Sequence, residues 1–243
     1  MKTLNQMANN KCRAVNGRRS GAAFTLIELL VVISIMAILA GFTLAVVKGI
    51  SKTKNINVAK AELGQIETAL EAYKAKYGVY PPSNANPTGT YAGSLTNSLL
   101  PQLYYELQGV TNSGVNYLTL DNAAQISGAS VSAAYGVGGF VNCSKGSGED
   151  ASPAKNFIGG LRQNQIASVQ NNGVAVSNIV TSVRGPDTNY KPLGIADVNP
   201  FRYVYPGVNN PNGYDLWVKL SISGKTYLVC NWSSVPIVNS PLP

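Results

Sequence analysis

At 243 residues the chain has room for one soluble domain of ordinary size plus an anchor. It contains no histidine, which excludes Ser-His-Asp and Cys-His catalysis and every His-based metal site, and leaves an enzyme as the weakest functional class. The net charge of +8 is unevenly spread: Lys2, Lys11, Arg13, Arg18 and Arg19 all precede the first acid, and taking those five from nineteen leaves fourteen basic residues against eleven acidic ones, with no basic cluster interleaved with aromatics that would point to nucleic acid.

Residues 1–23 read as a basic leader. From Leu29 to Val47 the chain carries no charge. That run of about 19 residues, at 1.5 Å per residue, just spans a hydrocarbon core of about 30 Å. Positive charge stays on the cytoplasmic side, so the expected topology is single-pass, N-terminus in and the bulk of the chain out. The run exceeds a secretory signal core, and no small-x-small cleavage site ends it, because helix-compatible sequence continues through Gly41 and Ala45. A plain signal anchor is the bland alternative. Glu28, at the edge of the run, argues for more. Intramembrane carboxylates usually have a partner, and no cation follows Glu28 until Lys48. The expected partner is another molecule or a new amino terminus.

Beyond Lys48 the pattern turns periodic. Ala59, Leu63, Ile66, Leu70, Tyr73 and Tyr77 recur at three and four residues, one face of an amphipathic helix. Gly78 stops it and Pro81-Pro82 prevents resumption. Phe24 to Tyr77 thus reads as one helix: residues 24–50 a transmembrane segment, 51–82 its amphipathic continuation with one stripe to bury. Residues 83–195 are rich in Asn, Ser and Gly and read as a loop-rich region with short helices at Leu99–Leu107 and Lys155–Val169, and a turn region at Gly136–Gly148 that is no phosphate-binding loop.

Residues 196–243 read as antiparallel β-structure. Strands are expected at Phe201–Tyr205, Tyr214–Ser221 and Thr226–Trp232, the last two joined by a tight hairpin at Ser223-Gly224-Lys225. The expected fold class is therefore α+β: a long N-terminal helix whose C-terminal half packs on a small antiparallel sheet. Cys12 lies in the leader. Cys143 and Cys230 are a candidate disulfide in an oxidising compartment, with two buried free thiols the equal alternative.

The segment Ala23-Phe24-Thr25-Leu26-Ile27-Glu28-Leu29-Leu30-Val31-Val32-Ile33, behind its basic leader, resembles the prepilin signal of type IV pilins and type II secretion pseudopilins. The resemblance implies cleavage by a prepilin peptidase between Ala23 and Phe24, N-methylation of Phe24, and Glu28 as the carboxylate that guides assembly. The family usually has Gly before the cut where this chain has Ala23; cutting after Gly21 instead would place Glu28 two positions too far along. Many members also carry Pro where this chain has Ala45. Ala69-Leu70-Glu71-Ala72-Tyr73, Tyr77-Gly78-Val79-Tyr80-Pro81, Asn199-Pro200-Phe201-Arg202-Tyr203 and Asn212-Gly213-Tyr214-Asp215-Leu216 further resemble G-type major pseudopilins. Those carry an acidic calcium loop next, but here Trp217-Val218-Lys219-Leu220 follows and no acid occurs after Asp215. Calcium needs about six to eight oxygen ligands, so no cofactor is carried over, and Asp215 reads as a turn or strand-start residue.

What the resemblance implies is a pilin-like structural subunit of the bacterial inner membrane, held by lipid before assembly with its C-terminal domain in the periplasm. It would then join a helical homo-oligomeric filament, a secretion pseudopilus, with an inner-membrane assembly platform and other pseudopilins as partners. A type IV pilus pilin or minor pilin is the near alternative. A membrane-anchored binding module that never polymerises is the alternative of a different class.

Overall fold

A computed structural model describes residues 24–85, 89–91, 94–96, 100–145, 152–183, 193, 195–196 and 198–242; at 42–50 and within 89–96 it describes backbone alone. The leader, residues 1–23, lies outside the described residues. The first and longest element is helix α1 (Leu26–Tyr77). Two compact units divide between Lys48 and Gly49.

In the second unit α1 buries one stripe. Ile56, Ala59, Leu63, Ile66, Ala69, Leu70 and Tyr73 are all buried, matching the spacing expected of an amphipathic helix. Tyr77 is only partly buried. Each large side chain on that stripe contributes about 1.5–3 kcal/mol by leaving water. The helix ends where Gly78 takes φ +78°, its N–H donating to the Lys74 carbonyl at 2.7 Å. That left-handed turn is cheapest at glycine.

Short elements fill the middle of the chain: the hairpin β1 (Gly89–Tyr91) and β2 (Ser94–Thr96), then α2 (Leu103–Gln108). A three-stranded antiparallel sheet follows, β3 (Val110–Asn112), β4 (Asn116–Thr119) and β5 (Gln125–Ser127), in the order β3-β4-β5. Helix α3 (Gly128–Tyr135) is capped by the Ser127 hydroxyl and closed by left-handed Gly136. A 3-10 turn (Gln163–Gln165) leads into the hairpin β6 (Ile166–Asn171) and β7 (Val174–Ile179).

One expectation within 83–195 is corrected. The helix expected at Lys155–Val169 is instead coil, a 3-10 turn and strand β6. The physical reason is Asn172-Gly173. Both residues take positive φ, +49° and +77°, the geometry of a two-residue turn that matches strand twist. Six paired residues on each side outweigh the weak helical spacing upstream.

The C-terminal sheet has four antiparallel strands in the order β11-β10-β9-β8: β8 (Arg202–Val204), β9 (Asp215–Ile222), β10 (Lys225–Cys230) and β11 (Ser233–Val238). Ser223 and Gly224, at φ +54° and +73°, make the β9–β10 turn where the sequence placed it. Strand β11 was not anticipated: it carries Pro236 and exposes Val235, Ile237 and Val238 at the sheet edge. One face of the sheet supplies Tyr203, Leu216, Val218, Leu220, Tyr227 and Val229 to the same buried cluster as the α1 stripe. The fold is α+β, an N-terminal helix followed by antiparallel sheets, as expected.

Two buried carboxylates tie α1 and α2 to the chain around them. Glu62 accepts from the Thr181 hydroxyl at 2.7 Å and from the N–H and hydroxyl of Ser182. Glu106 on α2 accepts from the Tyr73 hydroxyl at 3.0 Å and from the N–H groups of Val141 at 2.9 Å and Asn142 at 3.0 Å. The Asn142 side chain extends that network. Its oxygen accepts from the Tyr77 hydroxyl at 2.7 Å, and its amide donates to the carbonyls of Glu106 and Lys155, both at 2.7 Å.

Candidate functional site

The first unit presents the motif segment. Thr25 precedes the first helical residue, Leu26, and Glu28 lies three positions on. The Glu28 carboxylate accepts from the Thr25 backbone N–H at 2.9 Å and from its hydroxyl at 2.7 Å, and the Glu28 N–H points back at the Thr25 hydroxyl at 3.3 Å. This is a capping box, in which a Thr and a Glu three residues apart satisfy otherwise orphaned N–H groups at a helix start. It also places a carboxylate at the positive end of the helix dipole.

The sequence reading placed the partner of Glu28 in another molecule or at a new amino terminus. Within the single chain Thr25 supplies two neutral donors to it, and no cation. The sequence signal for this cap is Thr-x-x-Glu directly before the apolar run.

Past the cap, the side chains have no cover. Phe24, Leu26 and Ile27 are 70–81 % exposed, and Leu29, Leu30, Val31, Val32, Ile33, Ile35, Met36, Ile38 and Leu39 lie between 44 and 64 %. Ser34 hides its hydroxyl by donating to the Leu30 carbonyl at 2.7 Å, leaving no free polar group on that turn. A helix apolar on every side is stable only inside protein or lipid. Among the described residues no helix is long and apolar enough to cross a membrane; the side chains described in this run end at Gly41.

Of the other positions singled out from sequence, Ala23 lies outside the described residues. Cys143 and Cys230 are both buried free thiols. They belong to separate clusters, Cys143 in the main core and Cys230 with Val204, Trp217 and Leu228 on the other side of the sheet. The candidate disulfide is therefore replaced by its alternative. Burial pushes both thiols up from the ordinary range, which makes them poor nucleophiles.

Asp215 is fully buried at the start of β9. Its carboxylate accepts from the N–H groups of Val208 at 2.9 Å, Asn209 at 2.8 Å and Asn210 at 3.0 Å, and from the Asn209 side chain at 3.1 Å. A Cβ on Gly207 would lie 2.6 Å from its Oδ1 and 2.9 Å from its backbone N. An oxygen pair surrounded by N–H donors suits a loop anchor and does not fit a calcium ligand. Among the described residues no group of three His, Cys, Asp or Glu could hold a metal. Asp215→Ala strands three N–H groups and is expected to destabilise the fold by about 2–4 kcal/mol, read as a shift in the urea unfolding midpoint at unchanged slope.

Comparison with known proteins identifies one segment. Residues 18–44 match the family described as prokaryotic N-terminal methylation motif, which is the signal of type IV pilin-like prepilins. No curated protein and no solved structure matches the chain.

Proposed function

We propose that this chain is a prepilin-type subunit: it sits in the inner membrane through its apolar helix, is cut between Ala23 and Phe24, is methylated on the new Phe24 amine, and polymerises into a filament of the pilus or pseudopilus kind. The observation that carries the reading is the pairing of a Thr25–Glu28 cap with an apolar surface left uncovered from Phe24 to Leu39, inside the segment that matches the methylation motif. Lipid covers such a surface before assembly, and helices of neighbouring copies cover it afterwards. Glu28 then fixes the register between helices that would otherwise slip, since paired charges in low dielectric specify geometry better than they add stability.

Within that class we favour a type II secretion pseudopilus, working with an inner-membrane assembly platform and other pseudopilins, its head in the periplasm. The support is local. The amphipathic half of α1 ends in Tyr77-Gly78-Val79-Tyr80-Pro81, and the Pro81 carbonyl accepts from the buried Tyr203 hydroxyl of β8 at 2.7 Å. Two of the segments that resemble G-type pseudopilins thus meet in the head.

Intact-mass and peptide analysis of the mature protein tests the core of the proposal. A peptide beginning at N-methylated Phe24 is the expected result. A retained Met1, or an unmodified terminus elsewhere, overturns it.

A further inference from the structure

Three of the second unit's described acids are buried, while Glu67 is half-buried and Glu71 and Asp121 are exposed. Glu62, Glu106 and Asp215 are buried among hydroxyl and N–H donors. Glu71 accepts from the Tyr80 hydroxyl at 2.8 Å, and Asp121 accepts from the hydroxyls of Tyr104 and Thr119 and from the Ala123 N–H. By contrast, 49–61 and 216–243 contain no acid at all, but carry Lys52, Lys54, Lys60, Lys219 and Lys225.

Two contacts bring part of that basic set to one end. The Lys52 ammonium lies 4.6 Å from the centre of the Tyr227 ring, and the Lys60 ammonium donates to the Ser234 carbonyl at 2.7 Å. Moving up α1 from Lys52 to Lys60 therefore follows the chain from Tyr227 to Ser234. The β9–β10 turn lies beyond Tyr227 in the other direction, at the end where the chain enters this unit at Gly49. Lys225 stands two residues before Tyr227 on β10, hence on the same face and about 7 Å further along. Lys52, Lys54 and Lys225 are all exposed. Lys52 follows Val47, the end of the apolar run, by five residues.

From this we infer that Lys52, Lys54 and Lys225 form a basic rim that seats the head on the anionic headgroups of the leaflet from which the apolar segment emerges. The inference rests on the membrane reading above. Cations on this side of a span work against the charge bias that orients it, so their clustering calls for a gain elsewhere. Anionic lipid supplies it, because basic residues within a Debye length of such a surface are attracted to its phosphates. A second copy of the chain fits less well, since five of the second unit's six described carboxylates, all but Glu67, already accept internal hydrogen bonds. Lys52 is also prepositioned: the Tyr227 ring holds its ammonium without neutralising it.

The test uses the full chain reconstituted in nanodiscs, one set of phosphatidylcholine alone and one with a third phosphatidylglycerol, and compares acetylation rates of individual lysines by mass spectrometry. In the anionic discs Lys52, Lys54 and Lys225 should react about fivefold more slowly each, the factor that corresponds to surface attraction of one charge. High salt should remove the protection, while Lys76 and Lys155 stay unchanged in both discs. K54Q together with K225Q should release Lys52 from protection. Equal rates in the two discs, in protein that has incorporated normally, overturn the rim. Protection that appears only at high protein density, with lysine–carboxylate cross-links between copies, overturns it in favour of a subunit contact. Failure to incorporate into either disc instead strikes the membrane reading itself.

Discussion

Glu28→Gln is expected to leave membrane insertion and cleavage intact and to stop filament growth. The amide oxygen of Gln can still accept from the Thr25 N–H, since either Glu or Gln closes a capping box. The helix start therefore survives this change, and only the charge is lost. A charge-assisted hydrogen bond contributes about 1.5–3 kcal/mol, so each subunit addition should weaken by about ten- to a hundredfold. Glu28→Ala removes charge and cap together and should fail at least as badly. Pelleted or sheared filament yield measures the outcome, with N-terminal mass and membrane fractionation as controls. If Glu28→Gln polymerises normally and Glu28→Ala does not, the residue serves only as a cap, and its assembly role is refuted. The geometry sharpens what assembly must do. The carboxylate is already engaged by Thr25, one residue from the amine that the proposed cleavage would create at Phe24, so a neighbouring subunit would meet a carboxylate with a local partner.

The second large effect is expected at Glu106. Replacing it by Ala removes the acceptor for the buried Tyr73 hydroxyl and Asn142 N–H and for the part-buried Val141 N–H. Each stranded buried donor costs about 1–3 kcal/mol. A combined loss of about 3–5 kcal/mol is a large fraction of the roughly 5–15 kcal/mol that holds a domain together. Glu106→Gln should cost less, about 1–3 kcal/mol, since its amide keeps one oxygen acceptor.

The pH dependence separates the two variants further. Burial pushes the Glu106 carboxyl up from its ordinary range, opposed by the N–H groups of Asn142 and Val141, the Tyr73 hydroxyl and the nearby Lys145 charge. The native state therefore holds this proton more tightly than the unfolded chain does. From about 4.3 upward to the raised native value the folded form binds more protons, so this group makes stability fall as pH rises through that window. The slope should become shallower in Glu106→Gln, leaving the contribution of other raised carboxyls such as Glu67. Urea titrations across acidic to neutral pH supply the measurement, and an identical slope in wild type and Gln would refute the assignment.

Legibility in the sequence followed the strength of the local signal. The α1 stripe from Ala59 to Tyr73 was readable because a sizeable helix must bury a face at a fixed spacing. The Ser223-Gly224 turn was readable because alternating strands flank it. Asn172-Gly173 carried an equally strong turn signal, yet apolar residues upstream drew the reading toward a helix and β6–β7 was missed. Strands β3, β4 and β5 are three or four residues each, too short for alternation to stand out among Asn and Ser. At the N-terminus the motif was visible in full, but the capping role of Thr25 was not drawn from it. Glu106 lay beyond reach for a different reason: a lone acid in Leu-Tyr-Tyr-Glu-Leu-Gln looks like a surface residue until residues 33 and 36 positions away supply its donors.

The edges of the C-terminal sheet bear on how this chain can and cannot multiply. On one side β8 offers only three residues, and on the other Pro236 removes a backbone donor from the middle of β11. A growing stack of strands needs an unbroken ladder on at least one flank, and neither flank supplies it. Neither edge of this sheet therefore offers a neighbouring copy a long ladder to extend, which guards the head against cross-β fusion.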